Sequence, residues 1–391
     1  MSSYDVVVAG AGINGAATFF HLAKGGSSVA LVEKSQPAFG PTGRSSAICS
    51  QFYAMPELAQ LAYRGTEYLR ALEDLTGRGC DFVQVGQMWA GPAEVVDEWT
   101  ELAATLAGLG LPVEVSTPER IVEMAPQISP EGIEAAIWES NCGYADPSMA
   151  TTALVDAGRT AGGEVVLNTE VQSLTLEGER VVGVETDAGE KIGADVVVLA
   201  LGPWTGAFVS RLGLELPLTI ERHPHAVVMA PQSAEDILPF AWYDHELEYY
   251  ARPDGKSLLL IGEWSGGAHT GGAHGEDGPD EERLRPVSNP AEFEENVGLN
   301  ESQGIVRAMA TRFPAVRELG IRPGYAGLYD MSPDGDPIIG PLPGYEGLIV
   351  MAGTSGHGFK LGPAFGEEVA RLITTGEAPM LDPLGVERLL G

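Results

Sequence analysis

The arrangement of the first 33 residues constrains the fold more than any other part of this sequence. An apolar run at 5–9 is followed by Gly10-Ala-Gly-Ile-Asn-Gly15 and then by a helix-like segment at 16–23. A second apolar run, at 28–33, ends in an acidic residue. This order is typical of a dinucleotide-binding unit in a doubly wound α/β sheet. A GxGxxG pattern alone is a weak signal in a chain with 51 glycines, so the prediction depends on its context.

Four residues of this unit have specific expected roles. Gly10 permits the tight turn, Gly12 lets the backbone approach a pyrophosphate, and Gly15 lets the helix pack on the strand. Glu33 is expected to accept hydrogen bonds from ribose hydroxyls, and with no arginine beside it a 2′-phosphate is disfavoured. The alternative is a parallel sheet with glycine turns and no ligand. We favour the dinucleotide site.

A second turn of the same kind lies near the end of the chain. The apolar run 347–352 precedes Gly353-Thr-Ser-Gly-His-Gly-Phe-Lys360, and a helix-like segment follows at 363–373. A glycine-rich turn between a strand and a helix N-terminus is a ready site for an anion or a dipole. Two such turns predict a large cofactor that is held from both sides, with Lys360 beside it.

Length, composition and cysteine content indicate the class of protein. With 391 residues, of which 44% are hydrophobic, two domains with buried cores are expected. No apolar run approaches the length of a membrane span, and the N-terminus lacks the layout of a signal peptide. Because Cys49, Cys80 and Cys142 are widely spaced, neither a disulfide framework nor a metal site is expected. A cytoplasmic location is therefore predicted.

The net charge of −32 excludes several partners. Nucleic acid and anionic membrane are disfavoured because a strongly negative field repels phosphate. Only five residues are Lys, against eighteen Arg, and such an acidic, Lys-poor surface resembles proteins of salt-loving organisms. High salt screens the self-repulsion, since the Debye length falls from ~8 Å at physiological ionic strength to ~3 Å near 1 M. An ordinary acidic enzyme is the alternative to this halophilic interpretation.

The remaining pattern indicates two interleaved domains. An apolar run at 194–201 is typical of a buried parallel strand, whereas residues 213–320 change to antiparallel alternation. The stretch 266–280 is most simply a solvated loop, and its His269 and His274 are not expected to bind a metal. We predict an α/β fold (α+β overall) in which a Rossmann-like cofactor domain is interrupted by a mixed or antiparallel-sheet substrate domain. The predicted boundaries are 1–85, 145–212 and 321–391 for the first domain, and 86–144 and 213–320 for the second.

Five motifs together carry a family resemblance. In chain order they are GAGINGA with Glu33, TGRSSA at 42–47, ALGPW at 200–204, DGDPIIG at 334–340 and SGHGFK at 355–360. This set resembles the FAD-dependent amine and amino-acid oxidoreductases. These form the D-amino-acid-oxidase-like superfamily, which includes sarcosine oxidases, glycine oxidase and D-arginine dehydrogenase. The resemblance covers nearly the whole chain and implies that the Rossmann-like domain binds FAD.

The resemblance implies FAD contacts for the matching residues. The first turn faces the pyrophosphate, Glu33 the adenosine ribose, and the backbone of Val171 the adenine. Arg44, in the segment that resembles the second phosphate and flavin-ring loop, is expected at a phosphate rather than at the surface. Trp204 lies either beside the pyrophosphate or in the core. The turn at 356–359 offers N–H groups to the flavin N1/C2=O edge, where reduction builds negative charge. The expected FAD-binding residues are Gly10, Gly12, Ile13, Asn14, Gly15, Glu33, Lys34, Gly43, Arg44, Ser45, Ser46, Val171, Gly202, Trp204, Gly327, Gly353, Gly356, His357, Gly358, Phe359 and Lys360.

The resemblance also implies five residues on the substrate side. Lys360 matches a lysine that holds the substrate carboxylate in monomeric sarcosine oxidases. The alternative is a lysine facing water at a helix start, which is electrostatically a poor place for a cation. Arg222 and Tyr53 match an arginine that binds the carboxylate and a tyrosine on a mobile lid in D-arginine dehydrogenase. Tyr250 matches a substrate-facing tyrosine, although packing is an alternative for both Arg222 and Tyr250. His357 either assists proton movement or fixes the turn.

Three departures from the family refine the prediction. Gly327 stands where monomeric sarcosine oxidases carry the cysteine that attaches flavin, and no histidine lies at 44–53, so FAD is expected to be non-covalent. Tyr329 stands where some relatives have an arginine, so the carboxylate clamp is expected to differ. Leu260 stands where relatives that react quickly with oxygen often carry a lysine. A leucine would stabilise superoxide-like charge poorly, so a dehydrogenase is favoured over an oxidase.

The predicted function is oxidation of the C–N bond of a small amino acid or secondary amine that is sarcosine-, proline- or D-amino-acid-like. Hydride transfer to flavin N5 would give an imine that water hydrolyses. The alternatives are an FAD-dependent hydroxy-acid or polyol-phosphate dehydrogenase, and an electron-relay or structural flavoprotein subunit of a larger complex. The expected partners are a carboxylated amine, an electron acceptor (oxygen, a quinone or an electron-transfer protein), and further subunits of the same or another chain.

Overall fold

The computed structural model describes residues 3–230, 233–263 and 286–389. Within these ranges the strands are β1 (Ser3–Ala9), β2 (Val29–Glu33), β3 (Ile48–Cys49), β4 (Gln87–Gly91), β5 (Val113–Ser116), β6 (Ala135–Glu139), β7 (Gly143–Tyr144), β8 (Glu164–Leu167), β9 (Val171–Glu177), β10 (Arg180–Thr186), β11 (Lys191–Leu199), β12 (Thr219–Met229), β13 (Ala241–Asp244), β14 (Tyr249–Asp254), β15 (Leu258–Glu263), β16 (Asn296–Val297), β17 (Gly320–Met331), β18 (Ile338–Pro341) and β19 (Leu348–Ala352). The helices are α1 (Ile13–Lys24), α2 (Pro56–Arg70), α3 (Leu72–Thr76), α4 (Val96–Gly108), α5 (Pro118–Met124), α6 (Pro147–Thr160), α7 (Thr205–Ser210), α8 (Leu299–Arg312) and α9 (Gly358–Thr375).

An eight-stranded sheet contains both ends of the chain. Its main order is β18-β19-β11-β1-β2-β8, and β10 and β9 extend from β11 as an antiparallel meander. Strand β1 pairs in parallel with both β2 and β11, with Val7 opposite Ala30 and Val197, and β11 pairs in parallel with β19. The parallel strand predicted at 194–201 is confirmed as the end of β11. These strands are continuous apolar runs because helices cover the sheet.

Two glycines let helices approach the sheet and each other closely. A Cβ on Gly15 of α1 would lie 1.9 Å from the carbonyl oxygen of Gly10, so the helix rests directly on the turn after β1. A Cβ on Gly366 of α9 would lie 2.5 Å from Ala17 of α1. Helices α1 and α9, which follow the two glycine-rich turns, are therefore fixed against each other.

A nine-stranded mixed sheet carries the second core. Its order is β16-β17-β12-β15-β14-β13-β4-β6-β5, mostly antiparallel, with β4 and β13 paired in parallel. The antiparallel alternation predicted within 213–320 is confirmed by β12, β14 and β15. Helix α8 packs on this sheet through Met309, which shares a buried cluster with Trp242 and Phe313.

The sheets depart from the predicted boundaries in two places. Strand β7, predicted in the substrate domain, pairs with β3 of the predicted cofactor domain in a separate two-stranded sheet. Strand β17 pairs with β12 throughout its length, so residues 321–331 lie in the nine-stranded sheet rather than with the cofactor domain. The division into two domains itself stays a prediction. The stretch 266–280, with His269 and His274, lies outside the described residues. Among the described helices, none is both long and apolar enough to cross a membrane.

Candidate active site

A long cleft opens where the parallel strands of the eight-stranded sheet end. The space between its walls, including the part that is open to solvent, is about 1430 Å³. The carboxyl end of a doubly wound parallel sheet is the usual ligand site of such folds. Sequence-predicted residues that line this cleft are Gly10, Gly12, Ile13, Asn14, Glu33, Lys34, Arg44, Ser45, Val171, Gly202, Trp204, Gly327, Gly356, Gly358 and Phe359.

The first glycine turn is sterically fixed between two neighbouring segments. Gly10 has a φ of +100°, and a Cβ there would lie 2.4 Å from the carbonyl oxygen of Ala200. On the other side, the N–H of Ile13 donates to Thr42 Oγ1 at 3.2 Å, and a Cβ on Gly12 would lie 3.2 Å from the same oxygen. The turn therefore presents its backbone to the cleft at the N-terminus of α1, next to the side chain of Asn14.

The adenosine-side residues lie at one end of the cleft. Glu33 Oε2 accepts from the N–H of Ala11 at 2.7 Å and Oε1 from the N–H of Ser35 at 2.8 Å, so the carboxylate also braces the turn. Each oxygen keeps a second lone pair for a ribose hydroxyl. The Lys34 ammonium lies 3.3 Å from the centroid of the Trp204 ring, and both residues line the cleft. The predicted ribose contact stays a prediction.

The second glycine turn is held in place by β17. Asp330 Oδ2 accepts from the N–H of Gly353 at 2.8 Å, and its Oδ1 accepts from Thr354 Oγ1 at 3.1 Å. The N–H of Ser355 donates to the backbone oxygen of Asp330 at 3.0 Å. A Cβ on Gly356 would lie 2.4 Å from the Tyr329 ring. The turn is thus fixed against the opposite end of the cleft.

The cleft fits a flavin dinucleotide on three observations. Its two ends carry the two glycine turns, which lead into the N-termini of α1 and α9 at the cleft. The side-chain oxygen of Asn14 is buried in the cleft wall without a partner among the described residues. The lining is more apolar than polar, as expected for a ligand with two ring systems.

A second, smaller cavity adjoins the end of the cleft at the second glycine turn, where the flavin is expected. The space between its walls, including the part that is open to solvent, is about 580 Å³, and it shares Ser45, Tyr329, Gly356 and Phe359 with the cleft. Its walls are mainly aromatic and polar, and among the described residues no carboxylate lines it. The other lining residues are Ser46, Ile48, Ser50, Gln87, Trp89, Tyr243, Tyr250, Ser355, His357 and Lys360.

Lys360 is a buried cation in this cavity. It lies in the first turn of α9 and is 7% exposed. A Cβ on Gly65 of α2 would lie 1.9 Å from the Lys360 carbonyl oxygen, so the two helix backbones touch here. Burial lowers the pKa of Lys360 to about 8, while Cys49, Glu139 and Cys142 act to raise it. Within the described ranges, Lys360 forms no ion pair with a carboxylate. The predicted alternative of a lysine pointing to water is wrong.

Two predicted residues flank Lys360. The Tyr53 ring centroid lies 5.4 Å from the Lys360 ammonium and 5.3 Å from the His357 ring. Tyr53 is buried behind the cavity wall and does not line either space. Burial and the neighbouring Lys360 hold the pKa of His357 well below its usual range, so this imidazole is neutral.

Tyr250 lines the cavity within a row of aromatic groups. Its hydroxyl lies 2.9 Å from His225 Nε2 and 3.4 Å from the hydroxyl of Tyr329. Burial lowers the pKa of His225 to about 3, so the ring is neutral and the direction of its hydrogen bond depends on its tautomer. Tyr250 therefore lines the cavity in which the substrate is expected, and its contact with the substrate stays a prediction.

The structure does not place Arg222 at the cavity. Its guanidinium forms an ion pair with Glu301 of α8 at 2.5 Å and donates to the backbone oxygens of Glu294 and Asn296. Because β12 turns this side chain towards α8, the prediction of a substrate-carboxylate contact is wrong for this geometry.

Leu260 and Arg44 also differ from expectation. Leu260 is buried and lines neither space, so it gives no support for a dehydrogenase over an oxidase. Arg44 lines the cleft, but its guanidinium donates to the backbone oxygens of Phe39 and Gly40 and pairs with Glu295 at 2.9 Å. Its phosphate contact stays a prediction.

The remaining predicted cofactor-binding residues do not line the cleft. Ser46, His357 and Lys360 line the smaller cavity instead, whereas Gly15, Gly43 and Gly353 line neither space. Gly15 and Gly43 pack against backbone carbonyl oxygens, and Gly353 packs against the side chains of Ile338 and Leu218. Sequence reasoning missed Trp89 and Tyr243, whose rings lie 4.1 Å apart in the cavity wall. They meet through the parallel pairing of β4 and β13, which no local pattern indicates.

Comparisons with known proteins agree with this geometry. The family model described as DAO, FAD dependent oxidoreductase, matches residues 5–372. The chain is 30% identical to glycine oxidase of Pseudomonas aeruginosa over 389 residues, which is 97% of each chain. It is 26% identical to 4-methylaminobutanoate oxidase (formaldehyde-forming) of Paenarthrobacter nicotinovorans over 97% of this chain, but spans only 45% of that longer relative. The crystal structure of L-proline dehydrogenase from P. horikoshii superposes with a TM-score of 0.84 at 25% identity, covering 99% of this chain and 98% of that one.

Proposed function

The chain belongs to the DAO family of FAD-dependent oxidoreductases, and we propose that it oxidises the C–N bond of a small carboxylated amine to an imine that water hydrolyses. The observation that carries this proposal is Lys360, a buried cation that forms no ion pair with a carboxylate of the described residues and lies in a cavity that adjoins the cofactor cleft. A buried charge is stable only when it is paired, and a substrate carboxylate would supply the partner. The comparisons support amines as substrates, since relatives are glycine and 4-methylaminobutanoate oxidases.

The proposed cofactor is FAD, held without a covalent bond. Glu33 and Val171 would lie at its adenosine, the Gly10–Gly15 turn at its pyrophosphate, and the turn at 356–359 at the flavin edge. Gly327 lines the cleft where a cysteine would be needed for attachment, and no cysteine or histidine lines the described cleft. Acid precipitation of the purified protein is expected to release all the flavin into the supernatant. Flavin that remains with the precipitate would contradict this proposal.

The carboxylate of the substrate would lie at the Lys360 ammonium. A charge-assisted hydrogen bond of this kind is worth about 1.5–3 kcal/mol. The nearby His357 is neutral, so it does not add a second charge that would compete for the carboxylate. With Arg222 engaged by Glu301, the clamp consists of Lys360 together with the polar groups of the cavity wall.

The amine end of the substrate would face aromatic rings. Trp89, Tyr243, Tyr250 and Tyr329 surround the rest of the cavity, and no carboxylate of the described residues lines it. Aromatic faces attract cationic and N-alkylated groups without requiring several hydrogen-bond donors on nitrogen. We therefore propose a secondary amine of sarcosine or proline type ahead of a primary D-amino acid.

In the proposed reaction, FAD supplies the two-electron acceptor when it is bound. The residues of this chain bind and orient the substrate: Lys360 fixes one end and the aromatic walls fix the other. This holds the Cα–H towards the side that the two spaces share, at Tyr329 and Gly356. Burial of the cavity walls excludes water from the reacting bond. Positioning of this kind can lower a barrier by several kcal/mol without a strong base.

Anaerobic mixing of the flavin-loaded protein with a panel of donors tests the proposal. Bleaching of the flavin absorbance by sarcosine, proline, glycine or D-amino acids is expected. Bleaching by hydroxy acids alone would replace the proposal with an alcohol dehydrogenase. No bleaching by any donor would indicate an electron-relay or structural subunit. Reoxidation by oxygen, a quinone analogue or an artificial acceptor then identifies the class of electron acceptor.

The variant Lys360→Met tests the residue that carries the proposal. It is expected to weaken binding of carboxylated amines by roughly 10- to 150-fold, the equivalent of about 1.5–3 kcal/mol, while FAD content stays the same. The matched control is Lys256→Met, which removes an exposed lysine from the turn between β14 and β15. Equal affinity in both variants would remove Lys360 from the site.

A further inference from the structure

Glu139 is a fully buried carboxylate that the proposed reaction does not use. It is the last residue of β6 and has 0% exposure. Its side chain lies behind the wall of the substrate cavity rather than in it. A buried carboxylate is costly unless it is hydrogen-bonded and its charge is compensated, so its retention at this place needs an explanation.

Three donors satisfy the Glu139 carboxylate. Oε1 accepts from the N–H of Gln51 at 2.7 Å, and Oε2 accepts from Trp89 Nε1 at 2.7 Å and Ser50 Oγ at 2.8 Å. The two N–H groups can only donate, and they bind different oxygens. Burial raises the pKa of Glu139 above its usual value, and these hydrogen bonds offset only part of that rise. The ionised carboxylate accepts all three bonds, so we assign the charged form.

These donors connect Glu139 to the cavity wall. Ser50 and Trp89 both line the substrate cavity. Gln51 is held in turn by Asn141, with reciprocal amide hydrogen bonds of 2.8 Å and 3.2 Å. Glu139 therefore joins the segment that follows β3 to strand β4, two parts of the wall that are distant in sequence.

The charge of Glu139 also acts on Lys360. Three groups from other elements raise the pKa of Lys360, namely Cys49 of β3, Glu139 of β6 and Cys142 before β7. Burial raises the pKa of Cys49 to about 12 and that of Cys142 well above its usual range, so both thiols are neutral. Tyr53 and His357 beside Lys360 are neutral as well. So are the cavity tyrosines Tyr243, Tyr250 and Tyr329, because burial raises their pKa. Glu139 is thus the one negative charge in this group of described residues.

We propose that Glu139 is a positioning residue that holds Ser50 and Trp89 in the cavity wall and supplies the fixed negative charge that keeps Lys360 protonated before the substrate arrives. This inference rests on the proposed role of Lys360 as the carboxylate-binding group. The negative charge of Glu139 acts in the free enzyme. The substrate carboxylate therefore meets a Lys360 that is already protonated, and no proton has to be taken up before binding.

The test is the pH dependence of carboxylate binding by the flavin-loaded protein. The probe is propionate, with propionamide as its uncharged counterpart, and the dissociation constant is measured between pH 6 and pH 10 from the change in flavin absorbance. In the wild type, propionate affinity is expected to fall by up to about tenfold per pH unit above about pH 8, as Lys360 loses its proton.

In Glu139→Gln the same decline is expected to begin at lower pH, because the charge that favours protonated Lys360 is gone. Relative to the wild type, propionate should bind about fivefold or more weakly at pH 8.5 but within about twofold at pH 6. Propionamide should bind equally in both proteins at every pH. The matched control is Glu114→Gln, which removes an exposed carboxylate from neighbouring β5 and should leave the decline in place.

The other possible results distinguish the role of Glu139 from the role of Lys360. An unchanged pH profile in Glu139→Gln overturns the role of Glu139. An equal loss of affinity at all pH values overturns the counter-charge and leaves only the contacts to Ser50 and Trp89. Either result leaves the role of Lys360 standing. A wild-type decline that persists in Lys360→Met overturns the role of Lys360, and with it the proposed function.

If Glu139→Gln does not retain FAD, the double variant Glu139→Gln/Lys360→Met decides. Recovery of folded, flavin-loaded protein supports an uncompensated Lys360 charge as the cause, and continued failure overturns the counter-charge.

Discussion

The contact between Gly65 and Lys360 predicts that Gly65→Ala destabilises the protein, although the same substitution inside a helix normally stabilises it. Gly65 lies in the middle of α2, where alanine normally stabilises a helix by about 0.5–1 kcal/mol. Here a Cβ would lie 1.9 Å from the Lys360 carbonyl oxygen and 3.0 Å from its carbonyl carbon. The obstacle is backbone within the first turn of α9, so no side-chain rotation can relieve it.

The size of the effect follows from the distance. Ordinary contact needs about 3.5 Å, so α2 and α9 would have to separate by roughly 1.5 Å. Overpacking of this kind costs about 1–3 kcal/mol, which exceeds the gain from helix propensity. Gly65→Ala is therefore expected to lower the free energy of unfolding by about 2 kcal/mol. Because Lys360 moves with the displaced turn, propionate affinity below pH 7 should fall by about 10- to 100-fold.

Gly304→Ala in α8 is the matched control. Gly304 is also inside a helix, but a Cβ there would meet nothing closer than Arg307 Nη2 at 3.9 Å. This substitution should raise the free energy of unfolding by about 0.5–1 kcal/mol without affecting propionate binding. Urea unfolding of the flavin-loaded proteins measures both effects. Stabilities of the two variants within about 0.5 kcal/mol of each other would refute the argument.

Further predictions concern the cofactor turn, the corrected arginine and the surface charge. Gly10→Ala should yield protein without FAD, since Gly10 has a φ of +100° and its Cβ would meet the Ala200 oxygen; the ratio of flavin to protein absorbance measures this, and full FAD content would show that the turn can move. Arg222→Gln should leave the dissociation constant of propionate within about twofold while lowering the free energy of unfolding by about 1 kcal/mol; a tenfold loss of affinity would restore Arg222 to the site. Raising KCl from about 0.15 M to about 2 M should increase the temperature of unfolding, because the −32 net charge is screened, and an unchanged temperature would contradict the halophilic interpretation.

The cofactor cleft was predictable because its signals are local. Each glycine turn lies between one apolar strand and one helix, and steric limits allow few residues other than glycine at Gly10 and Gly356. Lys360 follows directly from the second turn, so its place in the fold was predictable as well. Its burial was not, since that depends on the approach of α2 three hundred residues earlier in the chain.

The substrate cavity was less predictable because its walls come from distant pairings. Trp89 meets Tyr243 only when β4 pairs with β13, and Glu139 reaches Trp89 because β6 pairs with β4. Arg222 shows the reverse problem. The residue type suits a carboxylate site, but the register of β12 with β17 turns it towards Glu301. Residue type can be read from the sequence, whereas side-chain direction in a sheet depends on pairings that no local pattern specifies.

The order of strands in the eight-stranded sheet has a consequence for synthesis on the ribosome. Strand β11 lies between β1, formed from residues 3–9, and β19, formed from residues 348–352. A nascent chain can pair its early strands, but it lacks one wall of the flavin end until the segment that includes Phe359 has emerged. Because domains form in the order in which their segments are made, the cleft stays incomplete in the growing chain until this last segment has been synthesised. Cofactor loading is therefore a late event, and translation that stops before residue 348 should release only FAD-free fragments.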